Sequence, residues 1–373
     1  MIEYRRGYTA SFYAVTLDPV TWADLEKIEL ISGTVNRTDT DLRQTANLTV
    51  RHFDTSQEQW IRVYMDARQG ENIDHIPIFT GIASSPQDDI DGQITTRPLE
   101  CYSVLEPLQD IKLQRGWWVA RGTNGGAAIR RLLRATKAPS EIADGAPTLQ
   151  DNIIAENSES NLTMVDKILA AIDWQMTISG DGTIIVGPKQ EEATAVFGAR
   201  DNDVLQKTIT IKHDWFSCPN VFRASSGDLT AIARDDDPES PLSTVSRGRE
   251  IQMTEEDVNL ADNEGIAQYT TRRLKEEQHT AEEAQYTRRF YPNVNIGSVV
   301  RLSYQQIFGD YTVNEQNIQL TYAGQTTEKV TKTVRKYATA VTHQDISALI
   351  KLPDGYYFKF ADGNRVLVPV NIN

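Results

Sequence analysis

Residues 161–188, NLTMVDKILAAIDWQMTISGDGTIIVGP, change their hydrophobic period halfway along, and this change decides the local fold. Up to residue 172 the apolar side chains recur every three or four positions, which predicts an α-helix with one buried face. Ser160 or Asn161 can cap this helix. From residue 174 onward apolar residues alternate with polar ones, which predicts two β-strands. The apolar positions are Leu162, Val165, Ile168, Leu169 and Ile172 in the helix, and Trp174, Met176, Ile178, Ile184 and Val186 in the strands.

The run Ser179–Gly182 lies between the two strands and could be a calcium loop, a phosphate-binding loop or a tight turn. Gly-Asp-Gly supplies residues that tolerate positive φ, which tight hairpin turns require. A calcium loop would need further oxygen ligands at positions such as 183 and 185, where the sequence has Thr183 followed by apolar residues. The sequence therefore favours a β-hairpin turn over a metal site.

Composition limits the classes of protein to which the chain can belong. It has 373 residues, of which 39% are hydrophobic, so it can bury the cores of two or three domains. Its formal net charge of −14 argues against a protein that wraps duplex DNA, because such binding depends on Lys and Arg that neutralise phosphates. No stretch approaches about 18 consecutive apolar residues and no signal segment is visible, so we expect folding in a cytoplasm and no membrane anchor. Cys101 and Cys218 lack CxxC spacing and are expected to be buried free thiols.

Strand and helix patterns divide the chain into five parts, and the expected fold class is α+β, mainly β. Short strands and turns at 1–105 predict a small antiparallel barrel. An amphipathic helix in GGAAIRRLLRATKAP, together with the quoted segment, predicts a helix-plus-hairpin α/β domain at 106–196. Strands return at 197–232 and again at 280–340. Two turn signals in the remainder, 341–373, predict a three-stranded β meander.

An inserted loop-and-helix domain is expected at 233–279, between the two later sets of strands. The acidic run 235–240 in it is expected to be a solvated, flexible loop. The segment ADNEGIAQYTTRRLKEEQH predicts a helix for which Asp262 is a plausible cap. Ile266, Thr270 and Leu274 would lie on one side of this helix.

Three sets of segments, in their order along the chain, resemble the hub proteins of bacteriophage tails. That family includes contractile-tail baseplate hubs, late-control protein D, the hub half of VgrG spike proteins and the N-terminal part of siphophage tail-tip proteins. The matching segments are FTGIASS (79–85) and CYSVLEPLQDIKL (101–113), then the helix and hairpin of 161–188, and then EGIAQYTTRRLKEEQH (264–279), NVNIGSVVRLSY (293–304) and GDYTVNEQ (309–316).

The resemblance implies two similar antiparallel β-barrels, one at 1–105 and a discontinuous one at 197–232 and 280–340, with two α/β domains inserted or flanking. In this family three subunits form a ring whose six barrels match a hexameric tail tube above and a trimeric spike or fibre below. The resemblance therefore implies a homotrimer in the virion tail tip, synthesised in the bacterial host cytoplasm. The implied partners are a tail-tube or distal-tail protein above, a spike, fibre or other tip protein below, tape-measure protein in the channel, and DNA in transit without specific binding.

No catalytic or metal-binding motif is recognisable in the sequence. The five histidines lie far apart, GxSxG is absent, and neither cysteine has a protease context. GTNGGAAIRRLL lacks the Lys-Ser or Lys-Thr of a phosphate-binding P-loop, so Asn124 is expected to cap a helix there. We expect no enzyme, no cofactor and no metal site.

Seven basic residues and no acidic residue lie between Lys112 and Lys137. They could form a solvated helix face, a docking patch for an acidic neighbouring subunit, or a DNA contact. The docking candidates are Arg115, Arg121, Arg130, Arg131, Arg134 and Lys137.

Trp117 and Trp118 should face opposite sides of a strand, so that one is core and the other an interface anchor.

A structural hub that adapts a sixfold tube to a threefold tip and forms part of the exit channel is the first hypothesis for function. An acidic lumen would let DNA slide without sticking. The second hypothesis is a receptor- or carbohydrate-binding tail protein, in which Trp22, Trp60, Trp117 or Trp118 stacks on sugar rings. The third is a cell-wall hydrolase of the tail tip, which would need a cleft with a perturbed carboxylate or a Cys–His pair.

Overall fold

A computed structural model gives the structure of the chain, with side chains described as far as residue 333. The described residues are 2–4, 7–51, 53–54, 56–84, 88–91, 94–198, 209–226, 229–256, 258, 263–279, 282–304, 307–333, 339–343, 349–351, 357–361 and 364–368.

Strands far outnumber helices in the structure, which confirms the expected mainly β, α+β class. The helices are α1 (Glu106–Asp110), α2 (Gly125–Leu133), α3 (Asn161–Ile172), α4 (Thr244–Arg247) and α5 (Asn263–His279). The strands are β1 (Thr9–Leu17), β2 (Asp24–Thr38), β3 (Gln44–Arg51), β4 (Gln59–Gln69), β5 (Asn72–Ser84), β6 (Asp89–Asp91), β7 (Ile94–Ser103), β8 (Trp118–Val119), β9 (Ser140–Ile142), β10 (Ile153–Ile154), β11 (Trp174–Ile178), β12 (Ile184–Pro188), β13 (Ala193–Gly198), β14 (Thr210–His213), β15 (Val221–Ser226), β16 (Leu229–Asp235), β17 (Gln252–Glu255), β18 (Glu282–Arg289), β19 (Val299–Tyr304), β20 (Ile307–Gln319), β21 (Gln325–Lys332), β22 (Thr339–His343), β23 (Leu349–Lys351), β24 (Tyr357–Ala361) and β25 (Asn364–Val368).

The first strand group, which consists of β1–β5 and β7, forms an antiparallel sheet that closes on itself. Its pairing order is β1-β4-β5-β7-β3-β2, and β2 pairs back with β1. Alternate side chains point into the core. Ile61, Val63 and Met65 of β4 are fully buried, as the alternation in QWIRVYMDA predicts.

The second strand group, which consists of β13, β14 and β18–β21, continues from the first without a break in the sheet. Its pairing order is β13-β19-β20-β21-β18-β14. Residues Thr34–Thr38 of β2 pair antiparallel with Glu315–Gln319 of β20. Val35 and Ile318 lie opposite each other in this pairing and are fully buried. The two groups therefore share both hydrogen bonds and core.

The helix–hairpin domain was expected at 106–196 and comprises residues 106–188, because β13 (Ala193–Gly198) pairs with β19 of the second strand group. It has the helices that the sequence predicts, with Asn124 as the expected cap of α2 and Ser160, one of two candidates, as the cap of α3. Asn124 Oδ1 accepts a hydrogen bond from Ala127 N at 3.0 Å at the start of α2. Ser160 Oγ accepts one from Thr163 N at 3.1 Å at the start of α3. These bonds satisfy backbone N–H groups that the first helical turn leaves without partners. All the apolar positions predicted in α3, β11 and β12 are buried in one core.

The turn at 179–182 closes the β11–β12 hairpin, as predicted. Ser179 N donates to Thr183 O at 3.0 Å, and Gly182 N donates to Ser179 O at 3.0 Å. Gly182 has a φ of +90°, which glycine adopts without steric cost. The Asp181 carboxylate accepts hydrogen bonds from Thr183 N, at 3.1 Å, and from Ser179 Oγ. The carboxylate therefore stabilises the turn from within.

The same turn docks against β4 and β5 of the first strand group. Thr80 Oγ1 donates to Gly180 O at 2.8 Å, and Arg62 Nη2 donates to Asp181 O at 3.1 Å. A Cβ atom on Gly180 would lie 1.9 Å from the Pro77 carbonyl oxygen. Only glycine permits this approach of two backbones, so the turn fixes the helix–hairpin domain to the first strand group.

A second compact unit consists of residues 213–281 and 334–373. It contains the sheet β17-β15-β16-β22, on which α5 packs with Ile266 and Leu274 buried. The interval 197–232, which we expected to belong to the second barrel, therefore divides. β14 pairs with β18 of the second strand group, whereas β15 and β16 pair with each other and with strands of this unit. Alternation in a strand does not specify its partner, which is why the sequence missed the division.

The acidic run 235–240 is anchored at its first residue, contrary to expectation. Asp235 is fully buried and accepts hydrogen bonds from Ser240 Oγ at 2.6 Å and from Gln278 Nε2 of α5 at 3.0 Å. A buried carboxylate persists only with such partners. The solvated-loop prediction was therefore wrong for Asp235, and the predicted cap Asp262 lies outside the described residues.

The last strands form a small sheet of their own. β23, β24 and β25 pair antiparallel in chain order. The connecting segments 352–356 and 362–363 lie outside the described residues.

We expect Gly180→Ala to lower the free energy of unfolding by about 1–3 kcal/mol, because the new Cβ would overlap the Pro77 carbonyl and displace the turn. Gly187→Ala in the same hairpin is the control, since its Cβ would meet only the Ala143 Cβ, at 3.5 Å. Urea unfolding followed by tryptophan fluorescence gives both values. Equal stabilities of the two variants would contradict the docking of the turn.

Candidate functional site

The predicted docking residues lie at the surface of the helix–hairpin domain. Arg130 and Arg131 are in the last turn of α2, and Arg134 is its C-cap. Cations at this end also stabilise the helix through its dipole, so the arrangement suits a solvated helix face as well as a docking patch. The exposed side chains are Arg115, Arg121, Arg130, Arg131, Arg134 and Lys137.

Trp117 and Trp118 face different environments. Trp117 packs against the core of the helix–hairpin domain. Trp118 is 57% exposed and lies opposite Ile154, which is 44% exposed, in the β8–β10 pair. Trp22 and Trp60 have ring centroids 5.3 Å apart and pack partly buried against the same core. Of these four indoles, Trp118 offers the most surface to a partner.

An aromatic loop, residues 214–217, is a surface feature that the sequence analysis did not identify. Trp215 in it is 42% exposed and Phe216 is 80% exposed. The Asp214 carboxylate holds the loop by accepting hydrogen bonds from Ser217 N at 3.0 Å and from Ser217 Oγ at 2.5 Å. The exposed rings are therefore presented by an ordered turn.

Two neighbouring side chains stack on the aromatic loop. The Arg249 guanidinium lies over Phe216, 5.1 Å from the ring centroid, and the His213 ring stacks on Trp215 with centroids 5.6 Å apart. Aromatic side chains already held in place lose little conformational freedom on binding, which suits an interface anchor. The available sequence signal was an Asp and a Ser, both turn-forming residues, on either side of two aromatics.

Catalytic and metal-binding chemistry has little support in the part of the chain that the structure describes. No group of three or more His, Cys, Asp or Glu there could hold a metal ion. Both cysteines are buried free thiols, as predicted. Burial raises the pKa of both thiols, that of Cys218 to about 11, so neither is an activated nucleophile. Among the same described residues, no helix has the length and apolar character that crossing a membrane requires.

A junction cluster of buried polar side chains lies where the two strand groups meet; its members are Arg37, Arg288, Asn295, Gln316 and Glu328. Arg37 of β2 is only 2% exposed. Its Nη1 donates to Asn295 Oδ1 at 2.8 Å, and its Nη2 donates to Ile78 O at 2.5 Å. Burial lowers the pKa of Arg37 to about 10, although Glu328 favours the charged form. Arg37 therefore remains a cation at neutral pH.

Arg288 of β18 and Glu328 of β21 form the ion pair of the junction cluster, and their side chains are 1% and 0% exposed. Arg288 Nε donates to Glu328 Oε2 at 2.7 Å, and Nη2 donates to Oε1 at 2.5 Å. Gln316 Nε2 of β20 donates to the same Oε1 at 2.6 Å. Burial opposes the charge of Arg288, but the Glu328 carboxylate outweighs it and raises the pKa of Arg288. The cluster thus ties strands of the second group to one another beside β2.

Glu328→Gln should lower the free energy of unfolding by about 3–5 kcal/mol, because it leaves the buried Arg288 without a charged partner. Replacing both residues, Arg288→Met with Glu328→Leu, should cost less than the single change, since no member of the pair remains charged and buried. Urea unfolding measures each variant.

The control is an exposed ion pair in the same sheet, Lys329 of β21 with Glu315 of β20, whose side chains are 55% and 41% exposed. Glu315→Gln should cost less than about 1 kcal/mol, as is usual for surface pairs. If Glu328→Gln cost as little as Glu315→Gln, the junction cluster would not stabilise the fold as argued.

Neither a protein-family model nor a curated protein matches this sequence, but solved structures match its fold. A tail protein from Neisseria meningitidis MC58 is 12% identical, with a TM-score of 0.64 over 87% of this chain and 97% of that one. The 43 kDa tail protein of prophage MuSo2 from Shewanella oneidensis is 11% identical, with a TM-score of 0.65 over 87% and 98%. Prophage tail protein gp18 from Listeria monocytogenes EGD-e is 11% identical, with a TM-score of 0.53 over 86% and 94%.

These likenesses cover nearly the whole of each matched chain, so they concern the complete arrangement of strands and helices and not one motif. The sequence segments that resemble tail hubs lie in both strand groups, in the helix–hairpin domain and in α5. The chain therefore has the fold of the phage tail proteins that it matches.

Proposed function

We propose that the chain is a structural hub of a phage or phage-like tail, which adapts a sixfold tail tube to a threefold tip. The observation that carries this proposal is the continuous sheet from β2 to β20, which joins two strand groups within one compact unit. In the proposal each strand group is one β-barrel. A subunit with two firmly joined barrels supplies two of the six positions around a tube.

Three such subunits in a closed ring would place six barrels around a channel. Closed rings are the usual outcome when one head-to-tail interface repeats through a fixed rotation. The sixfold face of the ring would bind a tail-tube or distal-tail protein, and the threefold face a spike, fibre or other tip protein. The helix–hairpin domain would lie outside the ring of barrels, in the virion tail tip.

The net charge of −14 suits the proposed channel. An acidic wall repels phosphates, so DNA could pass without a specific binding site to hold it. Synthesis in the host cytoplasm follows from the same role. Because none of these steps breaks a covalent bond, the proposed function needs no catalytic group.

We also propose that the basic residues of α2 and its flanks dock an acidic face of another tail protein, with Trp118 as an apolar contact. Arg130 and Arg134 lie one helical turn apart on the exposed side of α2, so both can reach one surface. Opposite charges would set the orientation of the partner and speed association. Such binding weakens as salt rises, because exposed charges are screened.

The native mass of the purified chain tests the hub. We expect a trimer, and negative-stain class averages with a central hole and a pseudo-sixfold outline. Should the chain be monomeric alone, the measurement is repeated with tail-tube or distal-tail protein present, since a ring can close on its tube. A chain that stays monomeric under both conditions would contradict the hub proposal.

We further propose that the aromatic loop, residues 214–217, lies in an interface between subunits. Phe216→Ala should then weaken assembly at least tenfold while leaving the monomer folded. The side chain is 80% exposed, so its removal should change stability by no more than about 0.5 kcal/mol. An aromatic anchor at an interface centre contributes about 2 kcal/mol or more to binding, which exceeds the 1.4 kcal/mol that corresponds to a tenfold change.

The control variant is Ile90→Ala, which removes a side chain that is 72% exposed in β6, outside the aromatic loop. Sedimentation velocity across a concentration series measures association of both variants. If Phe216→Ala associates as strongly as the parent protein and the Ile90→Ala control, the aromatic loop is not an assembly surface.

A further inference from the structure

A small cavity lies at the end of the β2–β3 hairpin, beside the junction cluster. Three parts of the chain line it: residues 37–38 and 43–44 of the hairpin, residues 177–178 of the β11–β12 hairpin, and residues 295–296 before β19. Its volume is about 10 Å³. A single water needs a cavity of about 10–15 Å³, so this one is of a size to hold a water.

Two buried polar atoms, one on each of two lining residues, have no hydrogen-bond partner among the described residues. They are Arg37 Nε and Gln44 Oε1, on side chains that are 2% and 3% exposed. Arg37 and Gln44 are direct partners in the antiparallel β2–β3 pairing. Direct cross-strand partners carry their side chains on the same face of the sheet, so the two atoms belong to neighbouring groups.

The other polar atoms of these side chains fix the roles of the two atoms. Arg37 uses Nη1 and Nη2 to bind Asn295 Oδ1 and Ile78 O, which leaves Nε–H as a donor. Gln44 Nε2 donates to Ile178 O at 2.6 Å. That bond sets the orientation of the amide, so Gln44 Oε1 is an acceptor. One donor and one acceptor thus share one cavity.

We propose that this cavity binds one ordered water that accepts a hydrogen bond from Arg37 Nε and donates one to Gln44 Oε1. A buried polar group without a partner costs free energy, and a water meets both needs because it is donor and acceptor at once. The excess positive charge of the junction cluster would attract a small anion. An anion would face the lone pairs of Gln44 Oε1, however, so water is the ligand that fits.

The site joins three parts of the molecule. The hairpin end that carries Arg37 and Gln44 contacts β11 through Ile178 O and the segment before β19 through Asn295. A water held there completes the polar contacts between the first strand group, the second strand group and the helix–hairpin domain. This inference is independent of the proposed function, since it concerns the fold of one subunit.

A crystal structure at about 1.5 Å resolution, with a second crystal soaked in bromide, tests the site directly. The expected result is one density peak within about 3.2 Å of both Arg37 Nε and Gln44 Oε1, with no anomalous signal in the bromide crystal. An anomalous peak at that position would show that an anion, and not a water, occupies the cavity, and would overturn the proposal. An empty cavity, or a direct bond between Arg37 Nε and Gln44 Oε1, would overturn the site.

Gln44→Met provides a second test, because it keeps a side chain of similar length and removes the acceptor. The expected result is loss of the density peak, with the Arg37 side chain otherwise in place. A peak of unchanged occupancy would show that Gln44 does not hold the water. Should this variant fail to fold, the two crystals of the parent protein still decide the proposal.

Discussion

The pairing of Thr34–Thr38 in β2 with Glu315–Gln319 in β20 holds the two strand groups in one sheet, and the other contacts are arranged around it. Residues 34–38 belong to the first group and residues 315–319 to the second. Neither strand group can therefore rotate relative to the other without breaking a row of backbone hydrogen bonds. The junction cluster lies beside this pairing and contains two buried arginines and one buried glutamate. Such a cluster tolerates few alternative arrangements, because a buried charge that loses its partner is strongly destabilising. In the proposed ring this rigidity would keep two barrels of each subunit in fixed register.

The glycine turn of the β11–β12 hairpin fixes the position of the helix–hairpin domain, as the β2–β20 pairing fixes that of the two strand groups. The docked backbone of Gly180 and the buried side chains of Arg43 and Gln44 bind that domain to the first strand group. Arg43 Nε donates to Met176 O at 3.0 Å, and Gln44 Nε2 donates to Ile178 O. One hairpin end of the first group therefore contacts β11 on one side and the second group on the other. In the account proposed here, partners bind the exposed face of α2 and, in the second compact unit, the aromatic loop.

Local patterns in the sequence predicted the elements that depend on local physics. The α3 stripe, the cap Asn124 and the turn at 179–182 were correct, and Ser160 was one of the two caps predicted for α3. Caps, amphipathic faces and turn glycines act within a few residues, which is why they were predictable. The partners of strands were not predictable in this way. β15 and β16 alternate as barrel strands do, yet they pair with β17 and β22, because alternation fixes a face and not a neighbour.

The burial of particular charged residues was likewise not predictable from the sequence. Arg37, Arg288 and Asp235 stand in segments with many other charged residues, and nothing in their spacing distinguishes them from solvated ones. Their burial is a property of long-range contacts, such as Arg288 with Glu328, forty positions apart. The aromatic loop was missed for the same reason, since the exposure of Trp215 and Phe216 depends on what the rest of the fold leaves uncovered. The exposure of Arg130, Arg131 and Arg134 needed only a helix period, and these residues lie on the surface where that period puts them.

A cryo-EM reconstruction of the assembled ring, computed with threefold symmetry only, tests the central claim most directly. The account predicts that the two strand groups of one subunit appear as two barrels about 60° apart around the channel axis, joined through β2 and β20 as in the single chain. It also predicts that the junction cluster lies between the barrels of one subunit and not between subunits. A ring with strand groups at unequal angles or radii, or with the β2–β20 pairing opened, would contradict it.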